Sequence, residues 1–283
     1  LSRHVVFNYN ADLALPGAGA INPRRQFFAQ MPNVTVIQRV SSSGNQAYHS
    51  LQTGLERRFS KGFSLATNYT WSHNIDNNPG LGGGLRFATV FPQLVNNFKN
   101  ERGNSDIDVR QRFNLIGSYR LPFGERWTGL KGVLAKGWQV NSVATAQTGN
   151  ATTIQTPSNL ANTGQTSDRP NFTGTTDPLS GTPNNWFNRA SYTLNAPLTI
   201  GNLGRNTATG PGMYQIDFSV FKEMPIRERY TVQFRAEFFN ILNHPNLDMP
   251  NNVFSASRTC TFGVMGDTGN YLFTGLPTTD NGV

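Results

Sequence analysis

Residues 63–75 read FSLATNYTWSHNI. Side chains in a strand point alternately to opposite faces. Phe63, Leu65, Thr67, Tyr69, Trp71 and Ile75 therefore share one face, and Ser64, Ala66, Asn68, Thr70, Ser72 and Asn74 share the other. The first face suits an apolar medium and the second suits water. The run exceeds the ordinary strand of about 5–6 residues. It reaches the roughly 9–11 residues that a tilted strand needs to cross a bilayer. Alternation sustained over that length predicts a wall strand of an outer-membrane β-barrel.

The pattern recurs on both sides. Along 46–59, Ala47, Leu51, Thr53, Leu55 and Phe59 share a face with the less expected His49 and Arg57, opposite Gln46, Ser50, Gln52, Glu56 and Arg58. Ser60-Lys61-Gly62 then predicts a hairpin turn. Val109, Phe113, Leu115, Tyr119 and Leu121 alternate with Arg110, Arg112, Asn114, Ser118 and Arg120. Trp138, Val140, Ala144 and Ala146 alternate with Gln139, Asn141, Thr145 and Gln147. A second strong hairpin sets Tyr214, Ile216, Phe218 and Val220 against Gln215, Asp217 and Ser219, and then Tyr230, Val232, Phe234, Ala236 and Phe238 against Thr231, Gln233, Arg235 and Glu237. Pro225-Ile226-Arg227 is its expected turn. Val5, Phe7 and Tyr9 mark a short first strand, Val34–Val40 a weaker second one, and Ser41–Asn45 a turn by composition.

Connections between these runs alternate between short and long. The stretches 77–106 and 156–212 are rich in Asn, Thr, Pro and Gly, and loops beyond about 12–15 residues are uncommon unless functional or disordered. In an antiparallel sheet this order gathers the long loops at one end. Outer-membrane barrels have long extracellular loops and short periplasmic turns. Aromatic residues toward the strand ends, among them Phe63, Trp71, Trp138, Tyr214 and Tyr230, suggest the girdles of such a barrel.

Composition agrees with a barrel and excludes other classes. Only 37% of the 283 residues are hydrophobic, and no stretch approaches the roughly 20 apolar residues of a spanning helix. The net charge of +8 is scattered along the chain rather than gathered in a block, so no nucleic-acid partner is expected. Residue 1 is Leu, which suggests a fragment whose export signal lies elsewhere. The single Cys260 allows neither an internal disulfide nor a cysteine-based zinc site. His4, His49, His73 and His244 show no metal-ligand spacing, and GLGGG at 80–84 lacks the Lys of a phosphate loop. His73 beside Ser72 and Asp76 is read as a rim residue, and no nucleophile elbow is present. No enzyme, metal or cofactor is expected. Asp106, Asp108, Arg110 and Arg112 form a candidate charged lip.

Several stretches taken in order resemble one family. They are YHSLQTGLERRFSKGFSLATNYTWSHNID (48–76), NSDIDVRQRFNLIGSYRLPFG (104–124), GWQVNSVATAQTG (137–149), RPNFTG (169–174), WFN (186–188), GNLGRNTATGPGMYQIDFSVFKEMPI (201–226) and QFRAEFFNILNHPN (233–246). Together they resemble the C-terminal barrel region of TonB-dependent outer-membrane receptors of Gram-negative bacteria. The nearest likeness is the Oar-like group, whose members carry an N-terminal carboxypeptidase-regulatory-like domain. The resemblance implies an all-β fold, the C-terminal part of an antiparallel transmembrane barrel of about 22 strands. It implies a separate plug, absent here, through which the TonB complex drives uptake of a siderophore, oligosaccharide or peptide. It also implies outer-membrane lipid and the barrel-assembly machinery as partners. Residues 1–265 are assigned to the barrel. Residues 266–283 are assigned to an irregular tail without the expected final strand.

Position alone nominates ligand contacts: Trp186, Phe187 and Arg205 in the longest loop, and Arg112, Arg235 and Glu237 on the polar face. The competing expectation is a surface-exposed β-sandwich or barrel that binds glycans or acts in adhesion. An outer-membrane barrel enzyme ranks below both, because no catalytic constellation is visible.

Overall fold

The computed structural model describes residues 2–77, 92–94, 97–165, 167–174, 176–226, 230–255 and 262–265. The long strands are β1 (Ser2–Asn10), β2 (Gln38–Ser60) and β3 (Phe63–Asp76). After the two-residue β4 (Gly103–Asn104) come β5 (Gln111–Arg120), the helix α1 (Gly129–Ala135) and β6 (Trp138–Gln147). Six short strands follow in the next connection: β7 (Ala151–Thr152), β8 (Asn171–Phe172), β9 (Leu179–Thr182), β10 (Asn185–Phe187), β11 (Tyr192–Thr193) and β12 (Ala208–Thr209). The chain then forms β13 (Met213–Ile226) and β14 (Tyr230–Phe238).

Local chemistry builds the first hairpin. Lys61 and Gly62 take φ of 51° and 81°, the left-handed geometry whose twist matches that of flanking antiparallel strands. β2 and β3 then pair from Ser60↔Phe63 to Gln46↔Asp76. The long strands continue as one antiparallel sheet in the order β1-β2-β3-β5-β6-β13-β14, with β4 alongside the end of β3.

Register carries the alternation across the sheet. Phe63 faces Tyr119, Tyr119 faces Val140, Val140 faces Val220 and Val220 faces Ala236. Nearer the other end, Tyr69, Phe113, Ala146 and Tyr214 form a second such row. One residue over, Ser64, Ser118, Asn141, Ser219 and Glu237 line up on the opposite face. The polar side chains bond one another there: Gln139 Nε2 donates to Ser118 Oγ at 2.9 Å and to Asn141 Oδ1 at 2.8 Å. The sheet thus has one apolar and one polar surface. The pair Ile116↔Val143 is an apolar exception on the polar face.

The apolar face is not buried by protein. Leu51, Leu55, Trp71, Tyr119, Val232 and Phe234 are all exposed, and Leu55 retains 62% of its surface. Phe63 and Trp71 lie eight positions apart on β3, about 27 Å along the strand. At the usual tilt that projects to about 20 Å, comparable with the apolar band of outer-membrane barrels.

Three readings of the sequence are corrected here. Ser41–Asn45 is not a turn, because β2 runs through it and pairs with β1 at Phe7↔Ser41 and Val5↔Gly44. Register shifts on either side of Val5 absorb the small Ser and Gly residues. Val34–Ile37 lies outside β2. Pro225 and Ile226 are not turn residues either, since they pair with Thr231 and Tyr230. Arg227, the 80–84 glycines, Cys260 and the tail 266–283 lie outside the described residues.

Loop lengths are sorted as expected. The connections 61–62 and 121–137 lie at one end, and the stretches 11–37, 77–110, 148–212 and 239–265 lie at the other. Among the described residues the sheet does not close on itself, with β1 and β14 as its edges.

If the apolar face meets lipid, Leu65→Arg or Phe218→Arg in the full-length protein should cost about 2–4 kcal/mol near the bilayer midplane. Their yield in outer-membrane fractions is expected to fall sharply, with Asn68→Arg and Gln233→Arg assembling normally. Equal tolerance on both faces would refute the two-surface reading.

Candidate functional site

The buried core lies in the long loops, not in the sheet. Ile154, Phe187, Tyr192, Leu203, Ala208, Phe254 and Phe262 form one cluster, with Phe172, Trp186 and Leu194 packed against it. Phe254 and Phe262 meet edge to face at 5.2 Å between ring centroids. Pairings β7–β12, β8–β11 and β9–β10 brace the 148–212 stretch. Backbone bonds Gln155 N→Asn252 O at 3.0 Å and Trp186 N→Gly263 O at 2.8 Å join it to the stretch after β14.

A buried ionic latch fastens this cap to the end of β3. The Arg205 guanidinium pairs with the Asp76 carboxylate and donates to the Asp76 carbonyl at 3.0 Å and, from Nε, to the Glu101 carbonyl at 2.8 Å. Its Nη1 lies 3.5 Å from Asp106 Oδ1. Asn206 donates from Nδ2 to Asn104 O at 2.8 Å and to Asp106 Oδ1 at 2.5 Å. Arg169 pairs with Glu101 at 2.5 Å, and both side chains are almost wholly buried. The 11–37 stretch joins from the far side: Arg24 Nη2 donates to Asn162 O at 2.7 Å, and Asn162 Nδ2 donates to Gly17 O and Gly19 O at 2.9 Å each. Four long connections therefore converge in one cap. It covers the polar-face residues Ser72, Asn74 and Asp76, all buried.

The expected charged lip is present in part. Asp108 accepts from Arg110 Nε at 2.7 Å and from the backbone of Asn74 at 2.6 Å. Arg110 Nη2 also lies 2.8 Å from His73 Nε2, and Arg112 takes no part in these bonds.

The nominated ligand contacts separate into three groups. Arg112 and Trp186 border one cleft of about 670 Å³. Its lining includes Tyr69, Phe113, Ala146 and Tyr214, a row of the apolar face near the cap, so the cleft lies on that side of the wall. His244 stacks on Tyr214 at 3.6 Å beside it, and the Trp186 indole donates to Thr209 O at 2.8 Å. Arg235 and Glu237 form a partly exposed pair at 3.5 Å on the polar face, with Arg235 over the Phe221 ring at 4.4 Å. Phe187 and Arg205 are buried, one in the cap core and the other in the latch. Sequence position does not separate these cases, because a loop aromatic or arginine reads the same whether it faces solvent or a partner far along the chain. Glu101, Arg169 and Asp168 were not singled out for the same reason.

The chain matches the outer membrane beta barrel domain family over residues 1–271. It belongs to that family. No curated protein and no solved structure matches it. The barrel domain accordingly resides in the outer membrane, its apolar face toward lipid. Outer-membrane barrels carry their long loops on the extracellular side and their short turns on the periplasmic side.

Burial raises the Asp106 carboxyl above its ordinary 3.8, against the opposing pull of the Asn206 hydrogen bond and the Arg205 charge. Asp168 is raised for the same reason, against hydrogen bonds from Ala161 and Asn195. A folded state with raised carboxyl values binds extra protons. This contribution to stability is complete below pH 3.8 and is lost as pH rises through the raised values.

Two outcomes follow for the barrel domain. Arg205→Met leaves Asp76 and Asp106 without their cation. Breaking a buried pair in this way costs about 3–5 kcal/mol. Amide exchange at 103–108 should accelerate while that of 63–70 stays unchanged. Separately, exchange protection of the cap, corrected for intrinsic rates, should rise as pH is lowered from neutral, and Asp106→Asn with Asp168→Asn should flatten that rise.

Proposed function

We propose that this barrel domain is the wall of an outer-membrane transport receptor that takes up its ligand by a TonB-energised mechanism. The observation that carries the proposal is the asymmetry of the polar face. It is a polar surface, hydrogen-bonded across β5, β6 and β13 and roofed at one end by a cap that buries Ser72, Asn74 and Asp76. A simple adhesive surface would not need a polar wall behind its loops. The seven ordered stretches that resemble the Oar-like receptors support the same reading.

In this reading the full wall has about 22 strands and encloses a plug contributed by sequence outside this chain. The barrel-assembly machinery inserts it. The ligand, a siderophore, oligosaccharide or peptide, enters past the cap. Arg112 and the Arg235–Glu237 pair offer charges on the channel side, and Trp186 offers an aromatic surface at the rim. The domain performs no covalent chemistry and needs no metal or cofactor.

The test uses full-length protein in proteoliposomes. A plugged receptor retains the periplasmic domain of TonB in a pull-down and excludes arabinose in a swelling assay. Free passage of arabinose without TonB binding would mark an open channel. Neither passage nor TonB binding would favour a glycan-binding or adhesive barrel. Either result overturns the transport reading.

A further inference from the structure

The connection 121–137 carries a feature that the transport reading does not use. It leaves β5, turns at Gly124, forms α1 and returns to β6. Phe123, Trp127, Leu130, Val133 and Leu134 are all exposed there, Leu130 at 76%. Spaced at i, i+3 and i+4, Leu130, Val133 and Leu134 form one helical stripe. Three basic residues, Arg126, Lys131 and Lys136, accompany a single acid, Glu125, and all four are exposed.

The wall itself fixes where this hook lies. Lys222 and Trp138 are register partners on the apolar face. Lys222 Nζ donates to Leu134 O at 2.8 Å and to Lys136 O at 2.6 Å, and the Trp138 indole donates to Leu134 O at 3.0 Å. The Lys222 ammonium also sits 4.8 Å from the centre of the Trp138 ring. A lysine in a lipid-facing row is costly unless it finds partners. Here its partners are the carbonyls of Leu134, in the last turn of α1, and of Lys136 just past it, so the helix is tied to the lipid side of the wall, not to the channel side. Toward the same end of the wall the apolar face also exposes Tyr119 and Tyr230.

We infer that residues 121–137 form an interfacial anchor that binds anionic phospholipid headgroups of the periplasmic leaflet. The apolar stripe lies at the acyl boundary. Arg126, Lys131 and Lys136 reach the phosphates, as basic amphipathic segments do at membrane surfaces. The site is continuous with the lipid face and its charge complements an anionic leaflet. It requires only the outer-membrane location, not TonB-driven transport.

Full-length protein in vesicles of phosphatidylcholine with phosphatidylglycerol provides the test. Spin labels are placed at Leu130→Cys, Leu134→Cys and Glu125→Cys, with Cys260→Ser in each. Labels at 130 and 134 are expected to meet dissolved oxygen more readily than a water-soluble nickel complex, with the reverse at 125. Arg126→Gln and Lys131→Gln should weaken enrichment of phosphatidylglycerol around the protein by about fivefold per charge removed, with the barrel still folded by its β-sheet circular dichroism. Nickel-accessible labels at 130 and 134 would overturn the inference. So would labels shielded from both agents, which would mean that protein covers the stripe, or a phosphatidylglycerol preference unchanged by the charge removals.

Discussion

Hydrocarbon offers no water to a peptide group, so every backbone N–H and C=O within a bilayer must be paired by the protein itself. The rest of this structure depends on that requirement. It forces long, continuous ladders such as Phe63–Trp71 against Gln111–Tyr119. Once the ladder is continuous, side-chain direction is no longer free. A slip of β5 by one residue against β3 would turn Asn114 toward lipid and Leu115 toward water. Irregular pairing is found instead between β1 and β2 and beside the short turn after Arg57.

The same requirement inverts the usual plan of burial. Lipid takes over the role that a core plays in a water-soluble sheet, so leucines and phenylalanines stay exposed on the wall. Burial moves into the cap, which stands in water and must hold itself together. Its apolar cluster is small, and much of what it buries is charged: Arg205, Arg169, Glu101 and Asp76. Such pairs are expensive to desolvate and add little net stability. Their value here is geometric, because a guanidinium at Arg205 can satisfy Asp76, Asp106 and the Glu101 carbonyl at once. One side chain thereby joins the 148–212 stretch to the end of β3 and to the 97–108 segment.

How much of this was legible in the sequence varied with the range of the physics. The wall strands were legible because alternation is local and lipid enforces it at each residue. Loop sorting followed from strand order alone. Ser41–Asn45 misled because turn-like composition is also tolerated at a bulged pairing near a sheet edge. The helix α1 was missed because Gly129 and Gly132 dilute its pattern and its seven residues are held by Lys222, far along the chain. Phe187 and Arg205 were visible as an aromatic and a cation. Their burial depends on Phe254, Phe262, Asp76 and Glu101, and no spacing rule links positions that distant.

Strand direction bears on closure. Counting along the sheet, β1 runs toward the cap, β2 away from it, and so on to β14, which again runs toward the cap. Joining β14 directly to β1 would therefore make a parallel pair in an otherwise antiparallel wall. Leaving both edges open in hydrocarbon would strand a row of amides and carbonyls on each side, at a cost of several kcal/mol per unsatisfied group. The pairing rule of outer-membrane barrels, an even number of antiparallel strands, removes both problems only if further strands, odd in number, lie between β14 and β1. The parity of the long strands thus sets a condition on the complete wall independently of its eventual size.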